Sequence, residues 1–283
     1  MLPCILWSFT GVSWLLHKIY HLGVAVCMNK VTPHIFEKKL SKRAQLISRF
    51  VSILLWIAIW TIAAKIIDRE LFLPGPLLVL SSLCQLSASR IFWLSVLNSM
   101  KNILAGFFLA LLSGLILSAV SYRLRIARDF ISLPLRIIRT VPVASFIILA
   151  LLWVSSDRLS MLISFLMVVP IVYESILEGL LSIDSSMLEV LYIAQTPPLK
   201  KIKLVYIPSL LPYLFSALST GIGLAWKSGI AAEVIGISRS SIGNHLNQAK
   251  IYLQTPELFA WTITVIIISL IFEGAVRAVL RKI

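Results

Sequence analysis

The sequence predicts an all-α protein, a polytopic membrane helix bundle with six core transmembrane helices, and three observations carry that prediction. First, 59% of the 283 residues are apolar and 13% are charged, with a mean hydropathy of +0.94, against about 25% charged residues in soluble domains. Second, the apolar residues gather into runs long enough to cross roughly 30 Å of hydrocarbon. Third, Lys and Arg concentrate in alternate connections between those runs, the asymmetry that sets orientation in a bilayer.

The runs cover residues 47 to 67, 95 to 121, 130 to 153, 159 to 181, 208 to 232 and 257 to 278. Lys38, Lys39, Lys42, Arg43 and Arg49 lead into the first, and Arg123, Arg125 and Arg128 fill the next connection on the same side. Lys200, Lys201 and Lys203 follow between the fourth and fifth runs, and Arg277, Arg281 and Lys282 come after the sixth. The opposite side carries the more scattered Lys65, Arg69, Arg90, Arg158, Arg239 and Lys250. Both ends of the core, and residues 189 to 208, are therefore expected in the cytoplasm. The net charge of +14 is then topological. No aromatic-interleaved basic face accompanies it, so the expected partner is the lipid bilayer and not nucleic acid.

Two domains are expected: an N-terminal apolar segment with its basic cytoplasmic lead-in over 1–46, and a transmembrane domain over 47–283. Residues 1–27 include His17, Lys18 and His21 and have no basic stretch ahead of the apolar one, which argues against a cleaved signal peptide. An additional N-terminal helix, spanning or lying in the interface, fits this composition. A start at Met28, just before the basic segment, is the other reading. His17 and His21 share a helix face, but no acidic or cysteine partner completes a metal set. Cys4, Cys27 and Cys84 are too scattered for a disulfide framework or a zinc site.

Catalytic motifs are lacking. The sequence has no H-E-x-x-H, no G-x-S-x-G and no paired aspartates on adjoining turns, so neither an enzyme nor a cofactor is expected. Gly221-Ile-Gly-Leu-Ala-Trp-Lys-Ser228 imitates the phosphate-cradling G-x-x-x-x-G-K-S pattern. Trp226, however, stands where the second glycine must let backbone approach a phosphate, and no strand precedes the segment.

Ionisable residues inside the runs are the candidate functional groups, because such a group at membrane depth must face protein or water. Lys227 and Glu174 lie on different runs and either pair across the bundle or line a path. Glu178 and Glu273 lie nearer the cytoplasmic ends, Arg139 and Lys101 can snorkel, and Glu233 is expected to follow the fifth run and face the outer side. Residues 233–256, the longest outer connection, either meet a partner or re-enter the bundle.

Glu189 to Pro208, EVLYIAQTPPLKKIKLVYIP, is a polar island between two runs. Ser186 and Glu189 have capping-box spacing, which starts one short helix. Thr196 as N-cap with Pro197 at N1 starts a second, and Pro208 closes it.

The island resembles the EAA loop of ATP-binding-cassette importer permeases, whose pattern is Glu-Ala-Ala, three residues, Gly, nine residues, Ile, any residue, Leu, Pro. Glu189, Val205, Ile207 and Pro208 stand in register with that pattern. Val190, Leu191 and Gln195 depart from its small residues, and Pro197 and Pro198 are the alternative source of the turn. Leu73-Pro74-Gly75-Pro76, Arg139-Thr140-Val141-Pro142 with Leu152-Trp153, Ala225-Trp226 through Ala232-Glu233, Ser241-Ile242-Gly243 and Thr255-Pro256-Glu257-Leu258 resemble the nitrate, sulfonate and taurine branch. Val154-Ser155-Ser156-Asp157 replaces the glycines common after the tryptophan.

The resemblance implies a permease subunit that forms the path for a small solute, a nitrate-, sulfonate- or taurine-like organic anion or related nutrient. It implies a homodimer of permeases in the bacterial cell membrane, a cytoplasmic ATP-binding-cassette ATPase that hydrolyses the nucleotide, and an extracytoplasmic solute-binding protein. Carried onto this sequence, Glu189, Ala194, Gln195, Pro197, Pro198, Leu199, Ile207 and Pro208 would couple to the ATPase, and Arg139, Glu174, Trp226 and Lys227 would line the translocation path. The competing expectation is an ion-coupled secondary transporter that uses Lys227 and Glu174. The lack of internal repeats weighs against an inverted-repeat carrier.

Overall fold

The computed structural model describes residues 42–280, which form helices and connecting turns with no strand among them. The chain divides into two compact units, Met1–Ala58 and Ile59–Ile283. The described part of the first unit belongs to helix α1 (Lys42–Ile67), where Phe50 through Ala58 are all exposed, as an apolar span that faces lipid requires. The additional helix expected within 1–27, the His17 and His21 pair and the Met28 start lie outside the described residues.

The second unit continues with α2 (Pro76–Ser87), α3 (Arg90–Arg123), α4 (Arg125–Thr140), α5 (Val143–Ala150) and α6 (Ser156–Leu181). Two short helices follow, α7 (Ser185–Ile193) and α8 (Pro198–Lys201). A π-helical segment, Ile202–Tyr206, then leads into α9 (Ile207–Gly236), α10 (Ile242–Ile251) and α11 (Thr255–Leu280). Among the described residues, five runs are long and apolar enough to cross a membrane: Phe50–Ile67, α3, α6, Pro198–Gly236 and Thr255–Ala278. The bent pair α4 and α5, counted as one crossing, gives six.

That pair corrects the straight third run expected over 130 to 153. Its two helices meet at 104°. Val141 adopts extended backbone (φ −79°, ψ 135°) ahead of Pro142, because the proline ring disfavours helical geometry in the residue before it and offers no N–H of its own.

Helix α6 is the centre of the unit, packed along α3 on one side and α9 on the other. Apolar surface alone does not bring helices together in a bilayer, so close backbone approach and interhelical hydrogen bonds must do so. A Cβ at Gly106 would lie 2.2 Å from the Met161 carbonyl oxygen, which shows how closely α3 and α6 approach. Ser164 donates to the Ala225 carbonyl (3.0 Å) and Tyr173 to Ser121 (3.0 Å), tying α6 to α9 and to α3. The connection after α9 turns back onto the bundle, with α10 packed on α9, α11 and α3.

Candidate functional site

The island between α6 and α9 is ordered by its own backbone bonds. Asp184 caps α7, its carboxylate accepting from the Ser186 N–H at 2.9 Å, and Ser186 holds that carboxyl below the usual carboxylate range. The cap therefore sits two residues before the expected Ser186. Glu189 is left outside any capping box, exposed and without an ion pair. At the other end Gln195 takes the left-handed conformation (φ 48°). Its N–H bonds the Tyr192 carbonyl (3.0 Å) and the Thr196 N–H bonds that of Leu191 (3.1 Å), the two bonds of a Schellman turn.

The second short helix is also shifted by one. Pro197 is its N-cap and Pro198 its first residue, since a proline loses nothing where no N–H partner exists. Pro208 does not close it. The segment runs on through the π turn into α9, with Pro208 in that helix's first turn, and Val205 alone of the stretch is buried. The outer surface is apolar as well as basic: Ile193 and Leu199 are each 80% exposed, and Lys201 Nζ stands 5.5 Å from the Tyr192 ring centroid. Exposed apolar side chains gathered on an ordered polar loop mark an interaction surface, for protein or for membrane.

A second feature lies where α4 faces α6. Helix α4 is amphipathic: Arg125, Arg128, Asp129, Ser132 and Arg136 line a cleft of about 550 Å³ against Tyr173, Glu174 and Glu178 of α6. Ile126, Phe130, Leu133 and Ile137 form a separate exposed apolar stripe. Arg139, one turn further, donates to the Glu174 carboxylate in an ion pair whose side chains are 50% and 42% exposed. Charges so open, on spans this apolar, fit a wall of protein or water better than lipid.

The partner of Glu174 is thus Arg139, and the Lys227–Glu174 pairing considered from the sequence does not form. Lys227 is exposed on α9, and among the described residues its ammonium group has neither hydrogen bond nor ion pair. Trp226 is 3% exposed. Its indole N–H donates to the Val265 carbonyl (3.1 Å) and its ring stacks on Phe272, fastening α9 to α11. The phosphate-loop imitation is continuous helix.

Sequence reasoning missed a polar clasp at the other end of α3. Glu233 is fully buried in the last turn of α9, because that helix runs four residues beyond the expected 232. Ser99 and the Gly243 N–H both bond its carboxylate. His245 on α10 stacks on Trp261 (4.7 Å, 3°) and meets Ser95 at 2.9 Å; burial pushes its pKa down, opposed by Glu257. The available signal was the row Ser95, Asn98, Ser99 and Asn102, polar residues on one face of an apolar helix.

An all-helical bundle with apolar helices long enough to cross a membrane several times, an ordered loop between two of them and a charged cleft between α4 and α6 defines a polytopic membrane protein. The model of the family described as "Binding-protein-dependent transport system inner membrane component" matches residues 103–283, and the chain belongs to that family, the ATP-binding-cassette transporter permeases of the inner membrane. The taurine transport system permease protein of Escherichia coli is 25% identical over 229 residues, covering 79% of this chain and 83% of the relative. The riboflavin transport system permease protein of Chloroflexus aurantiacus is 26% identical over 246 residues, 82% of this chain and 90% of the relative. The nitrate import permease protein of Synechococcus elongatus is 24% identical over 193 residues, covering 64% and 68%.

Proposed function

We propose that this chain is the transmembrane permease subunit of an ATP-driven importer, with residues 47–283 as its permease domain and residues 1–46 as an apolar and basic lead-in. Two copies would form the path, an ATPase would dock on the cytoplasmic island, and a solute-binding protein would deliver cargo from the opposite face. Hydrolysis of ATP belongs to the partner. The distribution of Lys and Arg supports cytoplasmic ends for the core.

The observation that carries the reading is the continuity of the island with the bundle. An exposed docking surface on α7 and α8 leads through the π turn directly into α9, and α9 packs along the central helix α6. Force applied at Leu199 or Ile193 reaches the core along a helix and not through a slack loop. Glu189, Ala194, Gln195, Pro197, Pro198, Leu199, Ile207 and Pro208 form the coupling surface. Arg139, Glu174 and Lys227 face the path, with Trp226 holding α9 beside it.

The cargo is a small organic anion or related nutrient of the nitrate, sulfonate or taurine kind. The relatives named for taurine, nitrate and riboflavin support a small polar nutrient, and the arginines of α4 favour negative charge. Reconstitution of the chain with its ATPase and binding protein in liposomes tests the assignment. Solute uptake should require ATP and all three components; uptake by this chain alone under an ion gradient overturns it.

A further inference from the structure

We infer that Glu233 is a positioning residue whose carboxyl group, acting through the first turn of α10, latches that helix across the end of α3. The latch rests on geometry alone, and the outer face named in its test rests on the permease reading above.

An α-helix begins with amide donors that have no partner within it. In α10 each of the first three is taken from outside the helical ladder. The Ile242 N–H donates to Ser99 Oγ at 2.9 Å, the Gly243 N–H to Glu233 Oε2 at 3.2 Å and the Asn244 N–H to Ser241 Oγ at 3.1 Å. Ser99 also donates to Glu233 Oε2 at 2.7 Å. One carboxylate oxygen thus joins α9, α3 and α10. The approach is so close that a Cβ on Gly243 would stand 2.3 Å from the Glu233 Cβ, so only glycine lets α10 begin there.

Further bonds from the same face of α3 hold the segment. Asn98 donates to the Ser240 carbonyl at 3.2 Å, Ser95 meets His245 at 2.9 Å, and Asn102 donates to the Asp157 carbonyl at 2.9 Å. Asp157 in turn accepts from the Arg239 N–H at 3.1 Å. The segment 237–254 is bounded at both ends by residues in left-handed backbone, Ile237 and Ser240 before α10 and Leu253 after it. Positive φ in Ile and Leu is strain that surrounding contacts must maintain.

Among the described residues no cation pairs with the buried Glu233, and Ser160 and Ser241 also stand beside its carboxyl group.

The test uses the permease assembled with its ATPase in membrane vesicles, with Cys4, Cys27 and Cys84 replaced by serine. One reporter cysteine replaces Ala249, which is 2% exposed on α10, and a control cysteine replaces Ala110, which is fully buried within α3. A membrane-impermeant maleimide is applied from the outer face without nucleotide. Glu233→Ala and the milder Ser99→Ala should each raise labelling at position 249 by about tenfold or more, the scale of a buried polar group left without its partner. Position 110 should stay unlabelled, and Glu233→Gln, which keeps an acceptor oxygen, should remain within about threefold of the parent. Unchanged labelling at 249 in both variants overturns the latch, as does equal labelling at 110, which would show general loosening. Loss of ATP-driven uptake by the parent complex would count against the importer reading and leave the labelling result standing.

Discussion

Gln195 shows how a single residue can hide its conformation from sequence reasoning. The EAA pattern has glycine at this place, and the substitution stood out as a departure that left Pro197 and Pro198 to make the turn. The structure gives the turn to Gln195 itself, in left-handed backbone with both Schellman bonds made. A residue with a Cβ pays about 1 kcal/mol for that conformation, so the geometry survives the change in residue type at a cost in strain. Gln195→Gly should therefore stabilise the protein by up to about 1 kcal/mol, less the chain entropy that glycine loses on folding. A raised thermal midpoint in detergent, with uptake retained, is the expected result; a lowered midpoint would mean that the glutamine side chain holds the loop in some other way. Glu233 was hidden for a different reason. Its importance depends on Ser99 and Gly243, 134 and 10 residues away in sequence, and no local pattern announces such a meeting.

At the scale of elements, hydropathy located the long helices because a bilayer imposes a length on them, and five of the six expected runs correspond to helices of that length. The third did not, since its lead-in is amphipathic and Val141-Pro142 folds it over. The Arg139-Thr140-Val141-Pro142 stretch carried both facts at once: proline ends α4, and arginine on its last turn reaches α6. Because the Arg139–Glu174 pair is half open to solvent, its value lies in joining two elements beside the charged cleft more than in stability. Arg139→Glu places two carboxylates together beside the cleft and should reduce ATP-driven uptake by about threefold or more while changing stability little, because the pair is exposed. The exchange Arg139→Glu with Glu174→Arg restores opposite charges and should recover most of the loss. Equal defects in the single and the exchanged variant would show that the arginine contacts solute directly and not only its partner.

For the whole molecule, the question is how the proposed ATPase could act on a bundle whose described residues are helices and short connections. Charge placement legible in the sequence put the island on the side rich in Lys and Arg, and its register against the EAA pattern is what proposes the coupling residues. What the sequence did not show is that the capping work falls to Asp184. With that work done elsewhere, Glu189 is an exposed acidic group that forms no ion pair among the described residues. An ion pair with a basic residue of the ATPase would use it. Glu189→Lys should accordingly leave insertion and thermal midpoint unchanged, because an exposed side chain without partners contributes little to folding, while ATP-driven uptake falls and the ATPase co-purifies less. Deleting residues 195–200 removes the turn and all of α8 but Lys201 and should abolish uptake with the chain still in the membrane. Fluorescence size-exclusion profiles check assembly, and solute uptake into proteoliposomes checks coupling. If Glu189→Lys transports and retains its ATPase as well as the parent does, the coupling contact must rest on the apolar residues Ile193 and Leu199 and not on charge.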